Sequence, residues 1–416
     1  MEKLYKESFP IDLHWIKRLL AWADNKFPYM AYFNPNSIPF PYNGFEQIFF
    51  SGEESFPLAE IKEFPDKEVK VGILGYDLKN QFERLQSNNP SLVNCPDSLF
   101  FIPTLKVKFK DGKAEIFHSR ALEIFEEIQG FSQTPCLPGD FKISACTTKE
   151  EYIQNVRQIK NHIIEGDIYE MNYCMAFKAT FNTLDPVQTY FKLTEKSPMP
   201  FSTFFKGDKK YVIGASPERF LKRSGSKIIA QPIKGTVKRG STPEIDKLLR
   251  LQLLNSEKER AENLMIVDLM RNDLSRISKI GKVKVEELFG IYSFQRISQM
   301  ISTVSSTLKD PISFEEIIEK TFPMGSMTGA PKIKCMELID RYENFRRGWF
   351  SGAIGYISAN QDFDFNVVIR SIIMDKGTGQ LFFAVGSAIT FDADPVHEYK
   401  ECLLKAQPIF EVLHRK

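Results

Sequence analysis

The chain has 416 residues, of which 43% are hydrophobic and 26% charged, so it carries enough apolar side chains for a large buried core. Its 55 basic and 53 acidic residues leave a net charge of +2, which gives no reason to expect nucleic acid or a membrane surface as a partner. No signal peptide is recognisable, no apolar run approaches the ~20 residues of a membrane span, and the six cysteines are scattered, so we expect a cytoplasmic protein with reduced thiols.

The first 139 residues are rich in Phe and Pro and are predicted to form short strands. Their clearest element is a hairpin, residues 105–109 and 114–117, because the Asp111-Gly112 pair between them suits a tight turn with positive φ. Residues 132–139 have the composition of a linker. We therefore divide the chain into an N-terminal region, residues 1–139, intertwined with the rest, and a catalytic region, residues 140–416.

A helix is predicted after this boundary, capped by Thr147 or Thr148 and ended by Gly166. Strands are predicted near residues 173–181, 201–205, 211–215, 227–233, 283–288, 353–358, 367–374 and 381–385. Long helices are predicted over residues 243–274 and 395–413. Because strands dominate and the helices are inserted between hairpins, we predict an α+β fold rather than a doubly wound parallel sheet.

Two pairs of carboxylates are candidates for a metal site. Glu259 and Glu262 are three residues apart and share one face of a predicted helix, and Glu398 and Glu401 do the same in the last helix. Such pairs are usually solvated, but the apolar residues 264–267 indicate that the first helix enters a core there, where a carboxylate needs a cation or hydrogen-bond donors. Together the pairs could hold Mg²⁺. His397 and Glu401 also have the spacing of a zinc pair, although no third ligand is suggested.

A glycine-rich segment, residues 322–332, superficially resembles a phosphate loop. It lacks the Lys that directly follows the second Gly of a nucleotide-binding loop, so the motif does not support ATP binding. Small residues that expose backbone N–H groups, with Pro331 in the first turn of a helix, favour an anion site. A plain tight turn from strand to helix is an equal alternative at this stage. Gly386 and Ser387, after a predicted strand, could offer amides to a carboxylate in the same way.

Lys234 and Glu218 are the candidates for covalent and acid chemistry. Lys234 lies between a predicted strand and a glycine, where a partly desolvated amine would be reactive, although most lysines are surface residues. Glu218 is expected at the edge of a hairpin, where a shielded carboxyl keeps a raised pKa and donates a proton.

Several segments together resemble the chorismate-utilising enzymes, a family that includes anthranilate synthase component I, aminodeoxychorismate synthase component I and the isochorismate and salicylate synthases. They occur in the family's order over roughly residues 145–416, whereas the first 140 residues match loosely. The segments are 166–169 (GDIY), 216–218 (SPE), 232–236 (PIKGT), 260–269 (RAENLMIVDL), 271–273 (RND), 325–332 (GSMTGAPK), 346–348 (RRG), 369–370 (IR), and Glu398 with Glu401.

The resemblance implies two large β-sheets packed together and flanked by helices, with the active site between them. It also implies a Mg²⁺ ion that bridges the protein to a chorismate carboxylate, with Glu262 and Glu401 as direct ligands and Glu259 and Glu398 acting through water. The pyruvyl carboxylate would be held by Arg370, the amides at Gly386 and Ser387, and Thr328, with Thr236 as a further substrate-binding residue. Glu218 would protonate the departing 4-hydroxyl.

Lys234 selects a branch within this family. The aminodeoxychorismate synthases carry lysine in this motif, whereas the anthranilate synthases carry alanine. The implied mechanism is covalent: the lysine amine adds at C2 as the 4-hydroxyl leaves, and ammonia then attacks C4 and expels the lysine. The isochorismate and salicylate synthases have a lysine base just after residues 166–169, where this chain has Glu170, so water is disfavoured as the nucleophile.

Two other positions depart from the family pattern. Gln299 replaces a common histidine, which fits an enzyme that keeps the pyruvyl group, and Phe350 stands where a tyrosine usually contacts substrate. No cysteine lies in a Gly-x-Cys-x-Gly elbow, so we expect ammonia from a separate glutamine amidotransferase subunit. The alternatives are anthranilate synthase component I and a catalytically silent chorismate-binding subunit.

Overall fold

The computed structural model describes residues 5–12, 14–132, 139 and 141–413. The predicted linker falls almost entirely outside these residues, so the division at residue 139 stays a prediction. The cysteines that lie in the described part, Cys95, Cys146, Cys174, Cys335 and Cys402, are all free thiols. None of the described helices is both long enough and apolar enough to cross a membrane.

The described residues form ten α-helices and three short 3-10 helices, the latter at Leu58–Glu63, Tyr76–Leu78 and Gly325–Met327. The helices are α1 (Trp15–Lys26), α2 (Lys79–Phe82), α3 (Ala121–Gly130), α4 (Lys149–Ile164), α5 (Pro186–Lys196), α6 (Pro243–Asn255), α7 (Glu257–Ile277), α8 (Phe314–Thr321), α9 (Lys332–Tyr342) and α10 (Pro395–Leu413).

The same residues form twenty-two strands. They are β1 (Lys6–Pro10), β2 (Tyr29–Asn34), β3 (Ile48–Gly52), β4 (Ser55–Phe56), β5 (Lys70–Leu74), β6 (Ser98–Phe101), β7 (Leu105–Lys110), β8 (Lys113–Phe117), β9 (Ser144–Ala145), β10 (Glu170–Thr180), β11 (Phe201–Gly207), β12 (Lys210–Ser216), β13 (Arg219–Ser224), β14 (Lys227–Gln231), β15 (Ile233–Lys238), β16 (Lys284–Ser293), β17 (Ile297–Thr307), β18 (Gly329–Ala330), β19 (Ala353–Ile357), β20 (Phe363–Val367), β21 (Ser371–Asp375) and β22 (Gln380–Ile389).

The strands build two antiparallel sheets. The first has twelve strands in the order β1-β8-β7-β3-β2-β11-β12-β21-β22-β10-β18, with β9 beside β10. The second has ten strands in the order β15-β17-β14-β13-β20-β19-β5-β6-β4, with β16 beside β17. Strands from the first 139 residues enter both sheets, because β2 pairs with β11 and β5 pairs with β19. The predicted α+β fold with two large packed sheets is confirmed.

Aromatic side chains fill the space between the two sheets. Phe33 of the first sheet lies edge-on to Tyr356 of the second, with ring centroids 5.2 Å apart. Phe205 makes a similar contact with Trp349, whose side chain is fully buried and whose indole N–H donates to the carbonyl oxygen of Pro96. Large buried rings of this kind contribute most of the apolar surface in a core, so these contacts fix the distance between the sheets.

Local sequence patterns predict several elements correctly. Thr148 and Glu151 form the capping box of α4, and the hairpin of β7 and β8 turns at Asp111 and Gly112, which have φ values of 50° and 72°. The long helix predicted over residues 243–274 is wrong in one respect, since it is two helices, α6 and α7, separated at Ser256. Ser256 ends α6 and caps α7, because its hydroxyl accepts a hydrogen bond from the amide of Glu259.

Candidate active site

The site lies where the chain passes twice from one sheet to the other. Residues 217–218 connect β12 in the first sheet to β13 in the second, and residues 368–370 connect β20 in the second sheet to β21 in the first. The two crossings lie side by side, because the amide of Val367 donates to the carbonyl of Glu218 at 3.0 Å and the amide of Ala215 donates to the carbonyl of Arg370 at 3.2 Å. Glu218 and Arg370 therefore lie between the sheets.

This position corrects the prediction that Glu218 lies at a hairpin edge. Strands β12 and β13 do not pair with each other, because each finds its partners in a different sheet. The Glu218 carboxyl is only 5% exposed, and it accepts a hydrogen bond of 2.6 Å from the hydroxyl of Ser326. Burial raises the pKa of Glu218 to about 7, against the opposing effects of Ser326 and of the nearby Lys234 and Arg370 cations. A carboxyl with this pKa can hold and donate a proton near neutral pH.

Arg370 offers a half-buried guanidinium to the same space. Its backbone has a φ of 51°, in the left-handed region that residues other than glycine rarely adopt, and such strain is often found at functional sites. Among the described residues, none accepts a hydrogen bond from the guanidinium. Burial lowers the pKa of Arg370 to about 10, which leaves it a cation at neutral pH, suited to a carboxylate ligand.

Lys234 is buried and joins the two sheets at the site. Its ammonium, on β15, forms a short hydrogen-bonded ion pair with Glu170, the first residue of β10. Lys234 is 8% exposed and Glu170 1% exposed, and Oε2 of Glu170 has no hydrogen-bond partner in the described part of the chain. Burial alone would lower the pKa of Lys234, but the carboxylates of Glu170 and Glu262 outweigh it and raise that pKa.

The chain turns sharply directly after Lys234. Gly235 has a φ of 79°, and a Cβ atom there would lie 2.9 Å from Oε2 of Glu259. Glycine is therefore required by both the backbone conformation and the close approach of α7. The turn brings the strand that carries Lys234 against the first carboxylate pair.

The two predicted carboxylate pairs do come together. Helix α7 packs on β17 of the second sheet and on β15, the strand that carries Lys234, and α10 packs on β22 of the first sheet. Lys258 of α7 reaches across to Glu398 of α10, with 3.3 Å between Nζ and Oε1, and lies 3.8 Å from Oε1 of Glu262. Lys405 holds Glu401 at 2.7 Å and donates to the carbonyl of Gly386 at 2.9 Å.

These carboxylates fit a hard divalent cation. Oε1 of Glu262 is buried and accepts no hydrogen bond from any residue the structure describes, which is costly for a carboxylate without a cation. Burial raises the pKa of Glu262 to about 7 despite nearby Lys234, and the neighbouring Glu170 and Glu259 add to the rise. Oxygen donors alone, from four carboxylates, are the set that Mg²⁺ prefers. His397, Glu398 and Glu401 have ligand atoms within 4.8 Å of one another, so Glu398 supplies the third group that a zinc site with His397 and Glu401 lacked in the sequence. His397 is exposed and is the single imidazole there, so the carboxylates dominate the set.

Two of the remaining predicted substrate residues, Thr328 and Ser387, have side chains that are already hydrogen-bonded within the protein. The hydroxyl of Thr328 is fully buried and lies 3.2 Å from the carbonyls of Met324 and Gly325, so it belongs to its own loop. Ser387 is also committed, because its hydroxyl pairs with that of Tyr152 at 2.9 Å. These two side chains are therefore poor candidates for direct substrate contact, which leaves their backbone groups.

Thr236 and Gln299 are opposite each other on β15 and β17 of the second sheet, and Thr236 is two residues beyond Lys234. The side-chain amide of Gln299 donates to the hydroxyl of Thr236 at 3.3 Å, while its carbonyl oxygen is buried and unpartnered among the described residues. Phe350, by contrast, is 1% exposed and packs in the core.

Gly386 faces the site from the first sheet. A Cβ atom at this position would lie 2.5 Å from Sγ of Cys174 and 2.6 Å from Oδ1 of Asn172, both on the adjacent strand β10. Only glycine allows β22 to approach β10 this closely.

A buried ion pair fixes the glycine-rich loop, residues 322–332, to the first sheet. Arg347 binds both carboxylate oxygens of Glu343, at 2.9 and 2.6 Å, and both side chains are 1% exposed. The same guanidinium donates to the carbonyl of Met327 at 2.6 Å and to that of Asn172 at 3.1 Å. It therefore ties the loop that carries Ser326 and Thr328 to strand β10.

The sequence analysis gave no role to Ser326 or Arg347, although both lie in quoted motifs, and none to Lys258 or Lys405. It considered Glu170 only as a replacement for a lysine base. Lys405 could have been found, because it lies four residues after Glu401 on one helix face. The contact of Glu170 with Lys234 spans 64 residues and two sheets, and no local pattern predicts it.

Comparison with known proteins identifies the class. Residues 46–411 match the family described as chorismate binding enzyme. The chain is 33% identical over 368 residues to aminodeoxychorismate synthase component 1 of Escherichia coli (strain K12), covering 85% of this chain and 79% of that protein. This chain therefore belongs to the chorismate binding enzyme family.

Within the family, relatives in sequence include aminodeoxychorismate synthases, and a solved structure of similar fold is an anthranilate synthase component I. The chain is 41% identical over 263 residues to a probable chloroplastic aminodeoxychorismate synthase of Oryza sativa subsp. japonica, covering 62% of this chain but only 29% of that longer protein. The fold matches the crystal structure of anthranilate synthase component I from Streptococcus pneumoniae TIGR4 with a TM-score of 0.76 at 23% identity, covering 98% of this chain and 92% of that one.

Proposed function

We propose that this chain aminates chorismate to 4-amino-4-deoxychorismate, with ammonia as the nitrogen donor. The observation that carries the proposal is that a buried amine, Lys234, shares one site with a buried carboxyl, Glu218, whose pKa is raised to about 7. A nucleophile and a proton donor are the two groups that displacement of a ring hydroxyl requires. The names of the relatives in E. coli and rice support the same choice.

Substrate binding in this proposal uses the charges around the site. The Arg370 guanidinium holds the pyruvyl carboxylate of chorismate, assisted by backbone amides at Gly386 and Ser387 and in the loop of Thr328, with Thr236 at the ring. The four glutamates, Glu259, Glu262, Glu398 and Glu401, would hold Mg²⁺, with Glu262 and Glu401 as its direct ligands. When bound, Mg²⁺ supplies positive charge for the ring carboxylate.

The first step forms a bond between the protein and the ring. The neutral amine of Lys234 attacks C2, the C1–C2 double bond moves to C1–C6, the C5–C6 double bond moves to C4–C5, and the C4–oxygen bond breaks. The proton of Glu218 leaves with the hydroxyl as water. Lys234 is a cation in the free protein, since its pKa is raised, and must lose a proton first. Glu170 is the acceptor in hydrogen-bond contact with that ammonium.

The second step transfers nitrogen. Ammonia attacks C4, both double bonds return to C1–C2 and C5–C6, and the C2–nitrogen bond breaks, so Lys234 departs as an amine. The new ammonium on C4 gives a proton to Glu218, and Glu170 returns its proton to Lys234. Two displacements replace one difficult substitution. We propose that a glutamine amidotransferase subunit delivers the ammonia, as the designation component 1 of the E. coli relative suggests.

The test is to identify the product formed from chorismate, Mg²⁺ and ¹⁵N-labelled ammonium by mass spectrometry. We expect one ¹⁵N in a product that keeps its pyruvyl group, and a loss of at least about 100-fold in Lys234→Ala. Lys238→Ala, an exposed lysine of the same strand, is the matched control and should retain activity. Anthranilate, or isochorismate without nitrogen, would move the chain to a sister branch. Binding of chorismate without turnover would favour a silent binding subunit.

A further inference from the structure

The N-terminal turn of α7 contains a cation whose described partners are both candidate metal ligands. Lys258 lies 3.3 Å from Oε1 of Glu398 and 3.8 Å from Oε1 of Glu262, and it makes no other ion pair or side-chain hydrogen bond in the described structure. Lys405 differs, because it also binds the carbonyl of Gly386 and so belongs to the substrate region.

The position of Lys258 is unfavourable for its own helix. It is the second residue of α7, where the helix dipole favours anions and disfavours cations. The two carboxylates that it contacts are nearly buried, with Glu398 2% and Glu262 7% exposed, whereas the Lys258 side chain is 39% exposed. The attraction of these carboxylates, and not the helix, therefore accounts for where the ammonium lies, and its exposed stem leaves it free to turn outward into solvent.

We propose that Lys258 is an internal counter-cation of the metal site, which neutralises Glu262 and Glu398 when no divalent ion is bound and competes with that ion for them. The inference rests on the magnesium site of the proposed function. A divalent ion that takes Glu262 as a ligand must displace the ammonium from its 3.8 Å contact, because two cations cannot share these oxygens without repulsion. The metal affinity is then reduced by the free energy needed to break the lysine contacts.

Two consequences follow for a variant without this charge, Lys258→Gln. Its apparent Kd for Mg²⁺ should fall by roughly tenfold, the factor expected for the loss of one competing charged contact. In EDTA its melting temperature should fall, because two nearly buried carboxylates lose their cation. Added Mg²⁺ should therefore raise the melting temperature of the variant by more than it raises that of the wild type.

The experiment is a calorimetric titration of the full chain with Mg²⁺ alone, together with melting curves in EDTA and in Mg²⁺. Lys334→Gln is the matched control, because Lys334 also lies in the first turn of a helix and has a 39% exposed side chain. Its ammonium is 3.6 Å from Oε2 of Glu337, a glutamate that is not among the candidate metal ligands. The Mg²⁺ affinity of Lys334→Gln should equal that of the wild type. Lys258→Arg keeps the charge and should bind Mg²⁺ no more tightly than the wild type.

The outcomes separate this inference from the function on which it rests. Unchanged or weaker Mg²⁺ binding by Lys258→Gln, with normal binding by the wild type, would overturn the counter-cation role and leave the metal site intact. No Mg²⁺ binding by the wild type would overturn both. If Lys258→Arg also bound Mg²⁺ more tightly than the wild type, loss of the positive charge would not be the cause of the tighter binding. That result would also overturn the proposal.

Discussion

At the scale of single residues, burial rather than residue type separates the reactive groups from the many other carboxylates and lysines. Glu218 is 5% exposed with one hydroxyl donor, so its pKa is raised to about 7. The protonated acid that the proposed mechanism needs is therefore the main form below this pH and is lost as the pH rises through it.

We expect kcat/KM for chorismate, measured at constant free ammonia, to fall as the pH rises above about 7. In Ser326→Ala the carboxylate loses a hydrogen bond that stabilises its charged form, so the pKa of Glu218 rises and the alkaline limb moves to higher pH. Glu218→Gln should lower kcat by a factor on the order of 10²–10⁴ at every pH. Coincident alkaline limbs for the wild type and Ser326→Ala would contradict this assignment.

The contact between Glu170 and Lys234 gives a second expectation. Glu170→Gln keeps a hydrogen-bond acceptor beside the ammonium but cannot take its proton, so amination at pH 7 should slow by roughly 10- to 100-fold. Because a carboxylate that raises the pKa of Lys234 is also removed, the free amine becomes easier to form at higher pH. The deficit should therefore shrink between pH 7 and pH 9 in a rate profile. A deficit that is the same at every pH would show that Glu170 has no part in proton transfer.

At the scale of elements, the site depends on segments that long-range contacts hold in place. The loop with Ser326 and Thr328 is fixed to β10 by the buried Arg347–Glu343 pair. Removal of one partner from such a pair leaves an uncompensated buried charge.

Arg347→Gln should lower the free energy of unfolding by about 3–5 kcal/mol, measured by urea denaturation. Arg271→Gln is the control, because Arg271 and Asp268 form an ion pair of similar length, 2.7 Å, with both side chains more than half exposed. That control should change the free energy of unfolding by less than about 0.5 kcal/mol. Equal losses in the two variants would mean that the buried pair has no special role in holding the loop.

The secondary-structure elements show which features of the fold could be predicted from the sequence alone. The capping box of α4, the hairpin of β7 and β8, and the i, i+3 carboxylate pairs were predictable, because each depends on residues a few positions apart. The hairpin expected at Glu218 was wrong, because the strands on either side of it pair in different sheets. The same cause splits the strand predicted over residues 367–374 at Arg370, where the chain changes sheet. Pairings between distant segments leave no periodic pattern in the sequence.

At the scale of the whole molecule, strands from the first 139 residues are integral to both sheets, so we expect the chain to unfold as one cooperative unit. The three tryptophans can test this, because Trp15 and Trp22 lie on α1 and Trp349 lies between the sheets. Trp349→Phe leaves fluorescence from α1 alone, and the double variant Trp15→Phe, Trp22→Phe leaves fluorescence from the inter-sheet core. In each variant, the fluorescence and circular dichroism transitions in urea should coincide. Separate midpoints within one variant would show that the N-terminal region unfolds independently.

The proposed mechanism depends on a covalent bond between Lys234 and the substrate ring, and intact-protein mass spectrometry measures this bond directly. The wild type is mixed with chorismate and Mg²⁺ without ammonium, quenched in acid, weighed and digested. We predict a protein heavier by chorismate less one water, with the added mass on the peptide that carries Lys234, and its disappearance when ammonium is added before the quench. Formation of the aminated product without any adduct in the wild type, or an adduct that persists in Lys234→Ala, would contradict the covalent mechanism.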